Sequence, residues 1–305
     1  MPRFSIVVPA YNAQSTLGET LDAVLAQTLA DWECIIVDDG STDSTRDIAN
    51  AYAARDTRFR VLHQENQGSA GAYNAGGAAA RGDFIVLCSA DDILLPSHHS
   101  KMSALIAANP GYGIYSSSGF FWQPDGSRVP VHNVEELERM ESQSLPDVIR
   151  FCFYSVGAAY RREYFRMVGG YRLGIFGEDY DFWLRAMAWG ARHKFTPKAL
   201  SLHRVSPTQK SADVEKAYRS DIGIVSDLRR DFDLSEDALA AVDECIRDRE
   251  SKIAALHAPP SPAALEPPLN TREKTAGLAA RLLGEERAYR LRKWLNRILG
   301  RRGGA

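Results

Sequence analysis

Phe4-Ser5-Ile6-Val7-Val8-Pro9-Ala10-Tyr11-Asn12 is an apolar run that ends in polar residues. Two further stretches repeat that design: Cys34 to Val37 runs into Asp38-Asp39-Gly40-Ser41, and Phe84 to Cys88 runs into Ser89-Ala90-Asp91-Asp92. Each reads as a buried strand followed by a loop. In an open parallel α/β sheet, ligands bind beyond the carboxyl ends of the strands, so the three polar ends converge on one crevice. That crevice is rich in carboxylates. Carboxylates suit a hard divalent cation, which a diphosphate needs in order to sit beside acids and then depart. A nucleotide diphosphate is the expected ligand.

The segments between and beyond these strands supply helices. Ser15 to Gln27 places Leu17, Leu21, Val24 and Leu25 on one helical face, and Thr28 to Trp32 turns into the second strand. A helix over Thr45 to Arg55, a short strand over Arg60 to His63 and a helix over Ala70 to Ala80 follow, with Arg81-Gly82-Asp83 as the turn into Phe84. Alternating β and α elements predict an α/β fold with a mostly parallel central sheet flanked by helices. Pro96 to Asn109 reads as a helix stopped by Pro110-Gly111, and Gly113 to Phe121 as a strand ended by Gln123-Pro124-Asp125-Gly126. Val129 to Leu145 is polar and weakly patterned. Val156 to Tyr160 is a strand candidate, Arg162 to Val168 a helix closed by Gly169-Gly170, and Glu178 to Trp189 an amphipathic helix stopped by Gly190. The pattern lapses from Val205 to Ser211, Val214 to His257 is helical, Ala258 to Asn270 is a linker with five prolines, and Lys274 to Leu299 is a final helix. The expected domains are 1–210, a helical C-terminal extension 211–257, a linker 258–270 and a basic helix 271–305.

A chain of 305 residues, 45% hydrophobic, can bury a large core. Its net charge of −2 gives no reason to expect nucleic acid, but the last 25 residues carry eight Arg and Lys against two Glu, leaving −8 on the remainder. The cysteines Cys34, Cys88, Cys152 and Cys245 form neither a metal-type pair nor a disulfide framework, which points to a reducing compartment. No apolar run reaches the roughly 20 residues of a membrane span, and Met1-Pro2-Arg3 leads straight into a strand without a signal-peptide core, so a cytoplasmic protein is expected. In the final helix Leu291, Trp294, Leu295 and Ile298 make an apolar stripe beside Arg290, Lys293, Arg297 and Arg301. That pattern fits peripheral docking on the anionic inner face of the plasma membrane, or packing of the stripe on the chain's own acidic catalytic domain or on a second subunit.

Three motifs carry the chemistry. In Asp38-Asp39-Gly40-Ser41, one carboxylate fixed at a strand end can accept a hydrogen bond from the imide N–H of a base, with Tyr11 as a flat face for the same ring. The same residues also make an ordinary strand-to-helix turn capped by Asp43. Asp91 and Asp92 repel each other at a buried strand end unless a cation lies between them, although a solvated turn would also suit them. Two carboxylates leave most of the roughly six sites of Mg²⁺ or Mn²⁺ to diphosphate oxygens and water. Gly177-Glu178-Asp179-Tyr180-Asp181 opens a helix with three acids, which the helix dipole favours by itself. A carboxylate there can also act as general base on a sugar hydroxyl.

Four motifs in register, Phe4 to Asn12, Ile35 to Asp43, Gly82 to Leu87 running into Asp91-Asp92, and Gly177 to Arg185, resemble the family 2 glycosyltransferases over roughly residues 4 to 205. The resemblance implies a GT-A fold, an inverting mechanism, a nucleotide-sugar donor (a UDP-sugar foremost) and a divalent cation. It implies that Pro9 and Tyr11 border the base and that Asp39 binds the uracil-type edge. Asp91 takes the last position of the metal-binding D-x-D, with Asp92 beside it, and Asp179 is the catalytic base, with Glu178 adjoining it at the substrate. His203 and Arg204 have the charge and reach to contact the diphosphate. Three positions depart from the pattern: Ser89 stands for the first acid, where ribose or metal contact is expected, Tyr73 for Arg, and Ser206 for a late His. The expected activity is metal-dependent transfer of a sugar to a hydroxyl of a glycan or lipid-linked glycan, with a second copy of the chain left open as a partner. Two alternatives stand beside it. One is a non-catalytic nucleotide-sugar-binding partner subunit; the other is a sugar nucleotidyltransferase, whose Gly-rich loop is missing from Pro9-Ala10-Tyr11-Asn12-Ala13.

Overall fold

The computed structural model describes residues 2–133, 143–151, 156–206 and 213–258. The linker, the final helix and its membrane docking, most of the 129–145 stretch and Cys152 lie outside the described residues. The first half is built from β1 (Phe4–Ala10), α1 (Leu17–Leu25), β2 (Trp32–Asp38), α2 (Thr45–Arg55), β3 (Phe59–His63), α3 (Gly68–Ala79) and β4 (Phe84–Leu87). These four strands are parallel in the order β3-β2-β1-β4, with Phe4 opposite both Trp32 and Phe84. Every residue of β2 and β4 is buried. Strand side chains alternate between faces, so Val7, Ile35 and Val37 pack into one core while Ile6, Val8, Cys34 and Ile36 pack into the other. Helix α3 lies close on β1: a Cβ at Gly76 would stand 2.3 Å from Val7 Cγ1, so only glycine permits that approach.

The second half comprises β5 (Ile93–Leu94), α4 (His98–Ala108), β6 (Ile114–Trp122), β7 (Arg128–Pro130), α5 (Leu145–Arg150), β8 (Ala159–Arg161), α6 (Arg162–Met167), α7 (Glu178–Ala188), β9 (His193–Arg204), α8 (Val214–Asp231) and α9 (Glu236–His257). The sheet continues as β4-β8-β6-β9-β5 with mixed direction, and β7 pairs with β6. The twelve-residue strand β9 has no counterpart in the sequence reading. Its register against β6 steps from Thr196 to Ala199, so Pro197 falls in an irregularity where no ladder bond from its nitrogen is required. The helical stretch after 213 is two helices, with Ser235 accepting from Ala238 N at 3.3 Å to start the second. Ile224, Val225 and Leu228 of α8 and Ala238, Ala241, Val242 and Cys245 of α9 join the core containing Phe182 and Trp183. Among the described residues, no helix is long and apolar enough to cross a membrane.

Candidate active site

The loops after β1 and β2 are stitched together. Asn12, in the left-handed region at φ 49°, accepts from Thr42 N at 2.9 Å, and Ala13 N and Gln14 N donate to Thr45 Oγ1 at 2.7 Å and Asp43 Oδ2 at 3.2 Å. Tyr11, on the same loop, is 52% exposed, a cost in apolar surface that a stacked ring would offset. Asp38 and Asp39 divide their duties. Asp38 is buried among Ser41 N, Arg46 Nε and His63 Nδ1 at 3.0–3.1 Å. Burial pushes its carboxyl up, but hydrogen bonds from Ser41, Arg46 and His63 outweigh that and hold it below the usual range. Asp39 Oδ1 accepts from Gln64 Nε2 at 2.7 Å and Gln67 N at 2.9 Å, while no donor among the described residues reaches its Oδ2.

At the end of β4, Asp92 is fully buried, and its Oδ1 accepts from Arg204 N at 3.1 Å. His203 Nδ1 lies 3.1 Å from the same oxygen, at ion-pair distance without hydrogen-bond alignment. Asp92 Oδ2 is buried with no hydrogen-bond partner. Asp91 is partly exposed, and burial together with the neighbouring Asp92 pushes its carboxyl above the usual range. For His203, burial works against the charged form, yet Asp92 and Asp91 win and raise its imidazole above the ordinary value. An orphaned buried carboxylate oxygen and a strained neighbouring acid fit a divalent cation. No group of three or more His, Cys, Asp and Glu among the described residues is spaced to hold one unaided, so part of its shell must come from ligand and water.

Helix α7 begins at Gly177, whose φ of 80° turns the chain, and places Glu178 in a buried position and Asp179 in an exposed one. Asp179 Oδ1 accepts from Tyr180 N at 2.9 Å. Within the helix, Arg185 donates to Asp181 Oδ2 from Nε at 2.9 Å and Nη2 at 2.6 Å, and to the carbonyls of Val168 and Gly170 at 2.7 and 2.8 Å. Arg204 is also committed: Nε donates to Asp91 O at 3.1 Å, Nη2 meets Glu19, and the guanidinium lies 4.2 Å from the Trp122 ring centre.

Pro9, Tyr11, Asp39, Ser89, Asp91, Asp92, Glu178, Asp179, His203 and Arg204 all line a single cavity of about 1020 Å³. Tyr73 and Ser206 line it too. Tyr73 is buried, which raises its hydroxyl well above the ordinary range, and the nearby Ser89 side chain offsets this in part. Two of the three departing positions are therefore neighbours on the cavity wall. Phe121, which stands edge-on to His203 at 5.8 Å, and Phe176 are lining residues that no sequence signal singled out.

The family model of Glycosyl transferase family 2 matches residues 5–169. EpsJ of Bacillus subtilis (strain 168), described as an uncharacterized glycosyltransferase, is 33% identical over 221 residues, which cover 68% of this chain and 62% of EpsJ. Glycosyltransferase GlyG of Streptococcus pneumoniae serotype 4 is 46% identical over 91 residues, 30% of each chain. The chain thus spans under two thirds of the length of these relatives. Among solved structures, S. aureus TarS 1-349 superposes with a TM-score of 0.64 at 20% identity over 94% of this chain and 82% of TarS. The mannosyltransferase PcManGT from Pyrobaculum calidifontis, solved in complex with GDP-Man and Mn²⁺, gives 0.66 at 18% identity over 94% of this chain and 83% of its own. Both likenesses support the GT-A fold expected from the motifs.

Proposed function

The chain belongs to glycosyl transferase family 2, and from that premise we propose that it moves a sugar from a nucleoside diphosphate, UDP foremost, to a hydroxyl of a cell-surface glycan or its lipid-linked precursor. The observation that carries this reading is the convergence of Tyr11, Asp39, Asp91 and Asp179 on one cavity from the ends of β1, β2 and β4 and the start of α7. Proteins sharing the fold have been solved with UDP, UDP-GlcNAc and GDP-Man.

In this proposal Tyr11 stacks on the base beside Pro9, and Asp39 accepts the imide N–H on Oδ2 while Gln64 and Gln67 hold Oδ1. Asp91 and Asp92 would hold a divalent cation, which when bound supplies positive charge to the departing diphosphate. His203, its charged form favoured by both acids, lies beside them on the cavity wall. Asp179 takes the proton of the acceptor hydroxyl as that oxygen bonds to the anomeric carbon from the face opposite the leaving diphosphate, and the anomeric C–O bond to phosphate breaks. A single displacement from the face opposite the leaving group inverts the anomeric centre.

Two variants test the reading. Asp91→Asn keeps the shape and removes the charge, so calorimetry should find UDP binding weakened and no longer strengthened by Mn²⁺. Asp179→Asn should lower turnover by about 10² to 10⁴ with little change in UDP affinity. Wild-type turnover in the second variant would remove Asp179 as base, and metal-independent UDP binding in wild type would remove the cation.

A further inference from the structure

The helix that carries Asp179 starts without a side-chain cap: its N-cap is Gly177, which has no side chain to offer. Glycine visits several φ values at little cost, so by itself this junction would not hold the first turn of α7 in one place. Tyr180 anchors the helix to the Ile149 carbonyl at 3.0 Å, and the restraints on the junction itself include several from α8. Ser220 Oγ donates to the carbonyl of Phe176, fixing the peptide plane that leads into Gly177. The Lys216 ammonium lies 5.2 Å from the Phe176 ring centre, and Ile224 Cδ1 stands 3.8 Å from where a Cβ at Gly177 would be. Arg172 spans the same two helices, 3.5 Å from Asp181 of α7 and 3.5 and 2.7 Å from Asp227 and Asp231 of α8. Phe176, Gly177 and Asp179 all line the cavity, whereas α8 lies wholly beyond residue 169, where the family match ends.

We infer that α8 is a working part of the active site, with Ser220 the positioning residue that locks the Phe176–Gly177 peptide and so aims the carboxylate of Asp179. This rests on Asp179 being the base. Without the Ser220 hydroxyl the peptide can rotate about the permissive glycine, carrying the first turn of α7 with it. The cavity floor formed by β1, β2 and β4 is untouched by that motion. Loss therefore falls on the chemical step and spares nucleotide binding.

The test uses the full chain with Ser220→Ala, Ser220→Thr and Asp179→Asn. Hydrogen exchange is followed at residues 173–179, nucleotide release is measured from UDP-glucose, UDP-galactose and UDP-GlcNAc with Mn²⁺ and water as acceptor, and UDP affinity is measured by calorimetry. A hydrogen bond of ordinary net worth predicts exchange in the alanine variant faster by about two- to tenfold at 173–179 and unchanged in β1. Nucleotide release falls by about tenfold, within the roughly 100-fold that misplacing a reacting group by about 1 Å can cost, at unchanged UDP affinity. Threonine, which keeps the hydroxyl, restores both. Unchanged exchange at 173–179 overturns the inference, as does faster exchange with undiminished nucleotide release. Undiminished release by Asp179→Asn instead removes the base and leaves the exchange result to decide the clamp alone.

Discussion

Acidification from pH 7.5 to 4 should strip this fold of stability through two histidines that have no part in the proposed chemistry. His98 and His99 open α4 fully buried, with ring centres 5.1 Å apart. His98 Nε2 lies 2.9 Å from the Gly157 carbonyl, which can only accept, so the neutral ring carries its proton there and leaves the buried Nδ1 without a partner. His99 Nδ1 is 2.6 Å from Gln27 Oε1, and three carbonyls held by Gln27 Nε2 at 3.0–3.1 Å fix that amide the same way round. Its Nε2 is the second orphan. A second proton on either ring would put a charge in the core beside the other ring. Burial pushes His98 from the ordinary 6.5 down to about 4, and His99 well below its ordinary value. The native state thus binds fewer protons than the unfolded chain. Stability is whole above about pH 6.5 and drains as pH falls toward about 4, where the His98 contribution is spent. At about 1.4 kcal/mol per pH unit that contribution is on the order of 3 kcal/mol. His98→Gln can still donate to Gly157 and does not titrate. Urea unfolding of both proteins at pH 7.5, 6, 5 and 4 should show the wild-type advantage shrinking by on the order of 3 kcal/mol across the series. A difference constant to within about 0.5 kcal/mol would refute the assignment.

Arg185→Ala leaves the buried Asp181 with only Arg172 at 3.5 Å and frees two carbonyls, so urea unfolding should show a loss toward the lower end of about 3–5 kcal/mol. Lysine at 185 should recover less than half of it, because the planar fork is missing; a loss under about 1 kcal/mol for alanine would mean the pair carries little. Tyr11→Ala should weaken UDP binding in calorimetry by at least about fivefold, the low end of base stacking on an aromatic ring. Unfolding should be unaffected because that ring is already half in solvent, and unchanged affinity would take the base elsewhere.

The parallel half was legible because β1, β2 and β4 are buried on both faces and short polar loops punctuate them. Thr45 to Arg55 falls on α2 to the residue, and the three strands that opened the reading match β1, β2 and β4 to within a few residues. That these motifs share one cavity was legible for the same reason, since each sits at an element's end and the topology brings those ends together. Strand β9 was not, because Pro197 and the flanking lysines break the alternation that marks a strand, and only pairing with β6 and β5 rescues it. Ile93–Leu94 is too short to show any period. The break between α8 and α9 did have a signal in Ser235 followed by Glu236 and Asp237, hidden by apolar residues continuing on both sides. Pairwise facts such as the division of labour between Asp38 and Asp39, the tie from Arg204 to Glu19 or the grip of Ser220 on Phe176 depend on side-chain directions that no periodicity encodes.

The bond from Arg204 to Asp92 spans 112 residues of chain, and its partner contact with Glu19 spans 185. Everything in β1 to β4, by contrast, is complete by residue 87. Loop closure costs more entropy as the loop lengthens, and contacts of high sequence separation slow folding, so the pairings among β1 to β4 are the less demanding to close. Those strands thus rest on contacts close in sequence, whereas the cavity wall they share with β9 rests on distant ones. The cavity therefore depends on contacts that close loops of 112 and 185 residues, and on chain as far along as residue 204.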